Sequence, residues 1–296
     1  MSNKNETIRE ALAKTMASRL LTQSETARRL GVSAALINNI VNGRDKTDPK
    51  LKISDDLWRK IAAFCGVSGW NTAETRDYKR IYALCVKCQQ NSTSRAISFA
   101  PGSGKSHALK SYAGTHNNVY YIECDEYWSK KDFLRELRQQ MGLVESGLSI
   151  TEMVSSIIEY LNRTEMPLVI IDEADKLKDP VLNFFKTFYN KTTCGFVLCG
   201  APYFQKRIMK GVRLQKQSYQ EIYSRLGGEF FDMMGLNKED IRKVCVANGI
   251  SDDNDISMIA NSSVAVDTLS NDNACDLRRV KAQIEKIKLE QSIKQA

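Results

Sequence analysis

The amino-acid sequence predicts an α/β protein in which a parallel sheet is flanked by helices, with helical segments at both ends. Apolar runs of strand length alternate with helical patterns between residues 97 and 199. This alternation requires parallel strands joined by helical crossovers. The runs 167–172 and 195–199 are almost wholly apolar, as strands covered on both faces must be. Residues 6–65, and those from Leu236 onward, have only helical spacing.

The first 65 residues predict a compact helical domain. Ser24 is the expected cap of a short helix, Gly31 supplies a turn with positive φ, and Ser33 caps the next helix. This pattern is typical of a helix-turn-helix. The segment carries 12 Lys and Arg against 7 Asp and Glu, a balance that favours DNA. A small helical domain that docks on protein is the alternative.

Turn and cap residues over 66–76 predict a linker, and a helix over about 73–90 leads into the α/β domain, 77–235. The elements expected there are strand 97–99, helix 105–114, strand 118–123, helices 130–141 and 151–163, strand 167–172, helix 179–190, strand 195–199 and helices after Pro202. Asn237 caps the first helix of a small C-terminal helical lid, 236–296.

Residues 99–106, FAPGSGKS, have the pattern of a phosphate-binding loop. Its glycines let the backbone wrap a phosphate, and N–H groups of the loop and of the following helix face the anion. Lys105 is expected to neutralise the β- and γ-phosphates of ATP, and the Ser106 hydroxyl to ligate Mg²⁺. Phe99 stands where the motif usually begins with glycine. The expected nucleotide contacts of this segment are Pro101, Gly102, Ser103, Gly104, Lys105, Ser106 and His107.

Two carboxylates follow the apolar run 168–171. Asp172 ends a buried strand, where a ligand of the Mg²⁺ ion or of its water is expected. Glu173 can polarise a water for attack on the γ-phosphate. Taken alone, the pair could equally cap the next helix. After a phosphate loop the spacing predicts ATP binding and hydrolysis.

The composition limits the remaining classes of function. The chain has 296 residues, of which 42% are hydrophobic, and a net charge of +8, which favours a polyanionic partner. The first ten residues are polar, so we expect no signal peptide, and no apolar run is long enough for a membrane span. Cys85 and Cys88 form a C-x-x-C without a second pair, so we expect free thiols rather than a zinc site.

With these motifs on one α/β framework, the chain resembles AAA+ ATPases over about residues 70–290. Within that superfamily it is similar to the target-selection ATPases of Mu-type transposons and to origin-recognition-like ATPases. The resemblance implies an AAA+ P-loop fold with a C-terminal helical lid and an N-terminal helix-turn-helix domain. It also implies a cytoplasmic protein of a bacterium, or of a phage or transposon in a bacterial host.

The resemblance implies further roles in the ATPase site. Ser224-Arg225-Leu226 stands where the family has an arginine finger, which reaches the γ-phosphate of the neighbouring subunit. Asp276-Leu277-Arg278-Arg279 matches the stretch that carries a nucleotide-sensing arginine, and Arg278 is the better candidate. The first sensor position usually holds a polar residue, whereas this chain has Cys199-Gly200-Ala201. Either another element supplies the polar group or hydrolysis is slow.

The function implied is a slow, DNA-stimulated ATPase that assembles on duplex DNA as a filament or ring and presents that DNA to a transposase. The alternatives are an origin-type or plasmid-maintenance ATPase that loads another machine, and an ATP-sensing repressor. DNA would be held largely by its phosphates, and hence with little sequence preference. The candidate DNA contacts are Lys130, Lys131, Lys206, Arg207, Lys210, Arg213, Arg28, Arg29, Asn38, Asn39 and Arg44. Asn38 and Asn39 could also read base edges.

Overall fold

The computed structural model describes residues 2–18, 21–48, 51–65, 70–143, 145–266 and 273–295. The chain divides into two compact units, Met1–Thr72 and Ala73–Ala296. The second unit contains both the α/β part and the residues expected to form the lid. A boundary between domains at 235 and 236 stays a prediction.

The N-terminal unit is all-helical. Its helices are α1 (Ser2–Ser18), α2 (Gln23–Leu30), α3 (Ala34–Val41), α4 (Arg44–Thr47) and α5 (Asp55–Phe64). Their apolar faces enclose a small core that includes Leu12, Ile40 and Trp58. Arg9 is buried beside this core and donates to the Ile40 carbonyl and to both oxygens of Asp45, each at 2.8 Å. The small apolar core and the contacts of Arg9 together stabilise the packing of this unit.

The turn between α2 and α3 follows the expected local chemistry, with one difference. Gly31 ends α2 at φ 70°, and Ser33 accepts a hydrogen bond from the N–H of Leu36 at the start of α3. The cap of α2 is Thr22, not Ser24. Thr22 and Glu25 form a reciprocal capping box, which satisfies two N–H groups where a serine cap alone would satisfy one.

The second unit begins with an α/β part, which has five strands. Its elements are α6 (Arg76–Gln90), β1 (Ser94–Ser98), α7 (Lys105–Thr115), β2 (Val119–Glu123), α8 (Lys130–Gln140), α9 (Ile150–Arg163), β3 (Leu168–Asp172), α10 (Asp179–Leu182), α11 (Phe184–Lys191), β4 (Gly195–Gly200), α12 (Pro202–Arg213), α13 (Gln217–Arg225) and β5 (Phe230–Phe231). The strands pair in the order β2-β3-β4-β1-β5, all parallel. The predicted fold class, a parallel sheet flanked by helices with a helical N-terminal unit, is confirmed.

The sheet is covered on both faces, which explains its apolar strands. One core contains side chains of α6 and α7, such as Leu84 and Leu109, against Ile170. The other contains side chains of α8, α9, α11, α12 and α13, such as Phe133 and Phe204, against Ile171. All residues of β3 and β4 are buried. Strands in that position can tolerate polar side chains only at their ends.

The C-terminal part is not purely helical, so that expectation from the sequence is wrong. It contains α14 (Lys238–Ala247), α15 (Asp253–Ser262), β6 (Val264–Val266), β7 (Asn273–Cys275) and α16 (Leu277–Gln295). β6 and β7 form a two-stranded antiparallel sheet. Strands of three residues are too short to produce a recognisable period of two. Asn237 caps α14 as expected, in a capping box with Asp240.

Two buried carboxylates connect the start of α6 to the segment before α14. Asp77 accepts hydrogen bonds from the backbone N–H groups of Met234 and Gly235 at 3.0 and 2.8 Å. Asp240 accepts from the backbone N–H and the Nε of Arg76, both at 3.0 Å. Both carboxylates are almost wholly buried. The exit from the sheet toward α14 is therefore fixed by charge-assisted hydrogen bonds.

No helix in the part of the chain described above combines the length and the apolar character that a membrane span requires.

Candidate nucleotide site

The phosphate loop connects β1 to α7 at the carboxyl edge of the sheet. Gly102 and Gly104 have φ values of 76° and 90°, which residues with a side chain rarely adopt. Gly104 is the N-cap of α7, and no side chain caps that end. The first N–H groups of α7 therefore have no side-chain acceptor and can face an anion. This geometry fits a bound phosphate.

Lys105 and Ser106 follow at the start of α7. The Nζ of Lys105 donates to the carbonyls of Phe99 and Ala100 at 2.7 and 2.9 Å, and to the hydroxyl of Ser103 at 3.3 Å. Lys105 is buried, and burial lowers its pKa. The Ser106 hydroxyl has no hydrogen-bond partner among the residues with described positions. The loop thus holds a buried ammonium beside an available hydroxyl.

His107 and Pro101 flank the central residues of the loop. Both are exposed. The ring of His107 lies 6.4 Å from that of Tyr78 on α6, so it faces that helix. A role for either residue in nucleotide binding stays a prediction.

Asp172 lies at the end of β3 and is 1% exposed. Its Oδ1 accepts from the backbone N–H of Glu173 at 2.9 Å, and its Oδ2 accepts from the hydroxyl of Tyr121 at 2.7 Å. The Asp172 charge also acts on the Cys199 thiol of β4, whose pKa is raised first by burial and then by that charge. Sequence reasoning missed Tyr121. The strand register explains the contact. Glu123 pairs with Asp172, and Tyr121 lies two residues before Glu123, so its side chain points to the same face of the sheet as that of Asp172.

Glu173 follows in a strained turn, with a φ of 54°. It forms an ion pair with Lys176, and this hydrogen bond raises the pKa of Lys176. The Nζ of Lys176 also lies 3.8 Å from Asp125. Left-handed backbone at a residue other than glycine costs free energy and is found preferentially at functional sites. The Glu173 side chain forms no cap hydrogen bond at the start of the following 3-10 turn. It therefore does not have the helix-capping role that the sequence leaves open.

The end of β4 has a polar neighbour that the sequence does not indicate. Cys199 itself is wholly buried, and burial raises its pKa. Asp175, in the 3-10 turn Ala174–Lys176, accepts from the backbone N–H of Ala201 at 3.1 Å. A carboxylate from another element therefore lies beside the end of β4.

The start of α16 lies directly on the phosphate loop. The backbone N–H of Leu277 donates to the carbonyl of Gly102 at 2.9 Å. A Cβ atom on Gly102 would lie 1.9 Å from an oxygen of Asp276. Asp276 also accepts from the N–H of Arg278 at 2.8 Å. The Arg278 side chain is exposed, and its charge contributes to the lowered pKa of Lys105 after the larger effect of burial. Arg278 is thus close to the nucleotide loop.

Arg225 ends α13 and is held by its own chain. Its Nε donates to the side-chain oxygen of Asn190 at 2.9 Å, and a terminal nitrogen donates to the Glu221 carbonyl at 2.9 Å. The guanidinium also lies 5.9 Å from the centre of the Tyr189 ring. These contacts keep a partly buried arginine extended along α11 and α13. Its role at a neighbouring subunit stays a prediction.

The candidate DNA contacts in the α/β part differ in their availability. Lys130 and Lys131 are exposed in the first turn of α8. On α12, the three exposed cations are Lys206, Lys210 and Arg213. None of these five has an ion-pair partner among the residues placed by the structure.

Arg207 was expected to contact DNA, and here the structure requires a correction. Its guanidinium donates to the carbonyls of Leu177 and Asp175 at 2.7 and 3.2 Å, and it forms an ion pair with Asp179. Tyr219 completes the cluster, because its hydroxyl donates to Asp179 at 2.6 Å and accepts from Arg207 at 3.2 Å. This side chain braces α12 against the segment that follows β3, and most of its N–H donors are used inside the protein rather than left for phosphate.

In the N-terminal unit, the basic candidates Arg28, Arg29 and Arg44 are exposed. Asn38 is half-buried, and its side-chain oxygen accepts from Gln23 and Asn42 at 3.1 and 2.7 Å. That oxygen is therefore occupied within the unit. Asn39 is also half-buried. DNA contacts of this unit stay predictions.

The oxygen groups near the loop fit Mg²⁺ together with a nucleotide. Mg²⁺ prefers oxygen ligands and is usually bound through one or two carboxylates plus substrate phosphates. Asp172 and the Ser106 hydroxyl supply such groups. Within the described ranges, no cluster of three His, Cys, Asp or Glu side chains could hold a metal unaided. A metal here would therefore need oxygen ligands from the nucleotide and from water.

Comparison with known families gives one domain match. Residues 89–208 match the AAA domain family. That segment includes the phosphate loop and the two carboxylates after β3. Among solved structures, the chain is similar to one described as Drosophila ORC bound to DNA, with a TM-score of 0.46 and 14% identity over 74% of this chain and 56% of that one.

Three curated relatives align with between 57% and 79% of the chain. The Mu-like prophage FluMu DNA transposition protein B of Haemophilus influenzae is 25% identical over 79% of this chain and 82% of its own. The ATP-dependent target DNA activator B of Escherichia phage D108 is 24% identical over 77% of this chain and 73% of its own. The protein of the same name from Escherichia phage Mu is 27% identical over 57% of this chain and 55% of its own. Residues 89–208 thus match the AAA domain family, and the chain is similar to the transposition B proteins of Mu-like phages and prophages.

Proposed function

We propose that this chain is an ATP-dependent DNA-binding ATPase that assembles on duplex DNA, delivers it to a transposase and stimulates transposition. The observation that carries the proposal is a phosphate loop with two carboxylates at the end of β3, within a chain that aligns over 79% of its length with a transposition protein B. Relatives with the printed name ATP-dependent target DNA activator support the same reading.

The nucleotide part rests on the chemistry of the loop and of β3. N–H groups of the loop and of α7 bind the phosphates, and Lys105 neutralises their charge. For this, Lys105 must exchange its bonds to the carbonyls of Phe99 and Ala100 for bonds to phosphate oxygens. Ser106 and Asp172 would hold Mg²⁺, which offsets charge on the β- and γ-phosphates when it is bound.

Glu173 acts as the residue that orients and polarises the attacking water. A general base must carry a free lone pair at the reacting proton, and in this structure Lys176 shares the Glu173 carboxylate. This pairing favours slow basal turnover, because Glu173 has to leave or share Lys176 before it can accept a proton. Stimulation by DNA would then include a shift of this ion pair.

The assembly part rests on Arg225. A nucleotide shared between subunits makes ATP a requirement for oligomers, because an arginine from one subunit offsets charge on the γ-phosphate of the next. In the single chain, Asn190 and Glu221 hold this arginine extended and partly buried. The side chain is thus pre-positioned at the end of α13 before a neighbour arrives.

DNA binding would use the cations of α8 and α12. Their charges have no partners in the described structure, and burial of such cations against phosphate releases condensed counterions. Affinity should therefore fall steeply with salt and vary little with sequence. The basic N-terminal unit would add contacts through Arg28, Arg29 and Arg44.

Electron microscopy of the purified chain with random duplex DNA tests the proposal. Samples would contain ATP, ADP or no nucleotide, with Lys105→Ala as the control for loss of nucleotide binding. We expect filaments or rings only with ATP and only in the unsubstituted chain, followed by stimulation of a transposase encoded beside it. ATP binding without ordered assembly would favour the sensor alternative, and assembly at one preferred DNA sequence would favour a loader.

A further inference from the structure

Two tyrosines stand apart from the others in this chain. It contains 11 tyrosines, and the other nine each have a ring or hydroxyl partner within the protein. Tyr127 and Tyr203 have none among the residues whose positions are described. Tyr127 is 77% exposed and Tyr203 is 63% exposed. Both rings therefore present most of their surface to solvent.

The topology brings these two tyrosines to the same edge and the same layer of the α/β part. Tyr127 follows β2 and Tyr203 follows β4, so both lie beyond the carboxyl ends of parallel strands. One strand, β3, separates β2 from β4, which places the strand ends about 10 Å apart. The helices that follow, α8 and α12, bury Phe133 and Phe204 in one shared core. They therefore cover the same face of the sheet.

Each tyrosine stands three residues before an unpaired lysine. Tyr127 precedes Lys130 and Lys131, and Tyr203 precedes Lys206 on a helix that also exposes Lys210. Tyr203, Lys206 and Lys210 are spaced by three and four residues and so share one side of α12. A ring flanked by uncompensated cations fits a polyanion with flat apolar groups between its charges. A protein surface offers no such regular alternation.

We propose that Tyr127 and Tyr203 contact the bases of duplex DNA while the adjacent cations contact its phosphates, and that the two rings partly unstack the base steps they meet. The inference rests on the proposed function, since it adds base contacts to the same DNA surface. Side chains that enter between base steps cost unstacking energy and bend the duplex, which then follows more protein surface. The rings carry no sequence code, because every base offers a π-face.

The salt dependence of DNA affinity distinguishes ring contacts from phosphate contacts. Removal of one phosphate contact lowers the slope of log affinity against log salt by about 0.9, whereas removal of a stacking ring leaves the slope unchanged. We expect Tyr203→Ala to weaken ATP-dependent binding about tenfold at every salt concentration. Tyr203→Phe, which keeps the ring, should bind like the unsubstituted chain. Lys210→Ala should lower the slope.

A structural readout in the DNA completes the test. A duplex with 2-aminopurine at scattered positions should gain fluorescence when the chain binds with ATP, and a duplex with mismatches should bind more tightly because its unstacking cost is already met. Tyr127→Ala and Tyr203→Ala together should abolish both effects. Met166→Ala serves as the matched control, because Met166 is an exposed apolar side chain at the opposite edge of the sheet, just before β3.

The outcomes distinguish this inference from the proposed function. Loss of the fluorescence gain and of the mismatch preference, with the salt slope retained, is the expected result. If both tyrosine variants bind matched and mismatched DNA like the unsubstituted chain, the rings do not contact bases, although ATP-dependent DNA binding stands. If the unsubstituted chain itself shows no ATP-dependent DNA binding, the proposed function fails first.

Discussion

Replacement of Tyr121 by phenylalanine removes a single hydroxyl group and with it the 2.7 Å hydrogen bond to Asp172. Burial and the nearby Asp172 charge raise the pKa of Tyr121 well above its ordinary value, so the hydroxyl remains a donor at any working pH. Asp172 is 1% exposed, so bulk water cannot replace the lost donor without a rearrangement. The Asp172 carboxylate would retain the backbone N–H of Glu173 as a donor.

The magnitude follows from the charge and burial of the acceptor. A hydrogen bond to a charged group contributes about 1.5–3 kcal/mol, so we expect the free energy of unfolding to fall by about 2 kcal/mol. A partner that orients a metal ligand typically changes metal affinity by about 10–100-fold when it is removed. We therefore expect the Mg²⁺ concentration for half-maximal ATP turnover to rise at least about tenfold.

Urea unfolding without Mg²⁺ measures the first quantity, and a Mg²⁺ titration of ATP turnover measures the second. The neighbouring Tyr120→Phe is the matched control. Tyr120 is also buried on β2 but points to the other face of the sheet, where its hydroxyl donates to that of Tyr160 at 3.3 Å. A long bond between neutral groups contributes about 1 kcal/mol or less, and it has no connection to the metal ligand.

Two results would refute this reasoning in different ways. If Tyr121→Phe unfolds like Tyr120→Phe and needs no more Mg²⁺, the bond to Asp172 has no energetic role. If stability falls but the Mg²⁺ requirement does not change, Tyr121 only supports the fold, and Asp172 is not oriented by it for a metal.

Three other perturbations follow from the structure. Asp77→Ala removes a buried carboxylate that accepts from two backbone N–H groups, so urea unfolding should show a loss of about 3 kcal/mol. A loss below about 1 kcal/mol would contradict the argument from charge-assisted hydrogen bonds. Gly102→Ala places a Cβ against Asp276 and costs about 1–2 kcal/mol because of its left-handed backbone, so ATP binding should be lost. In the control variant Gly114→Ala, the added Cβ meets no atom within 4 Å, so ATP binding should be unchanged. Burial acts to raise the pKa of Asp179, but hydrogen bonds from a tyrosine and an arginine outweigh it and lower the pKa. A carboxyl group whose pKa is lowered by folding stabilises the protein at pH values above its pKa in the unfolded chain, which is about 4. This stabilisation is lost as the pH falls. The free energy of unfolding of Asp179→Asn, measured by urea unfolding, should therefore decline less steeply with falling pH than that of the unsubstituted chain.

The central strands were predictable because their burial on both faces forces continuous apolar runs. The predicted strands 167–172 and 195–199 each differ from the observed β3 and β4 by one residue. Phe230–Phe231 was not predictable, because two residues carry no periodicity and its place beside β1 depends on distant contacts. The same reason hid β6 and β7. Local chemistry also misled at one point, since Ser24 and Thr22 are both good caps and only the glutamate three residues later decides between them.

The candidate site shows a similar division. Motif spacing located the phosphate loop, Asp172 and Glu173, because the chemistry needs those residue types at the ends of neighbouring elements. The partners Tyr121 and Asp175 could not be found from spacing, since tertiary pairing alone brings them to Asp172 and to the end of β4. Arg207 had the same local appearance as its neighbours on α12. Only the position of Asp179 decides that its charge is used inside the protein.

The hydrogen bond from the backbone N–H of Leu277 to the carbonyl of Gly102 attaches the first turn of α16 to the phosphate loop. A rotation of this turn would therefore move the far end of the helix most. α16 has 19 residues, which corresponds to a length of about 28 Å. A rotation of about 10° at the loop would move the far end of a helix of that length by about 5 Å. A rotation of that size, made where the phosphates bind, would thus become a displacement that a pair of fluorescent dyes can detect. The amplification needs no contact between the far end and the nucleotide.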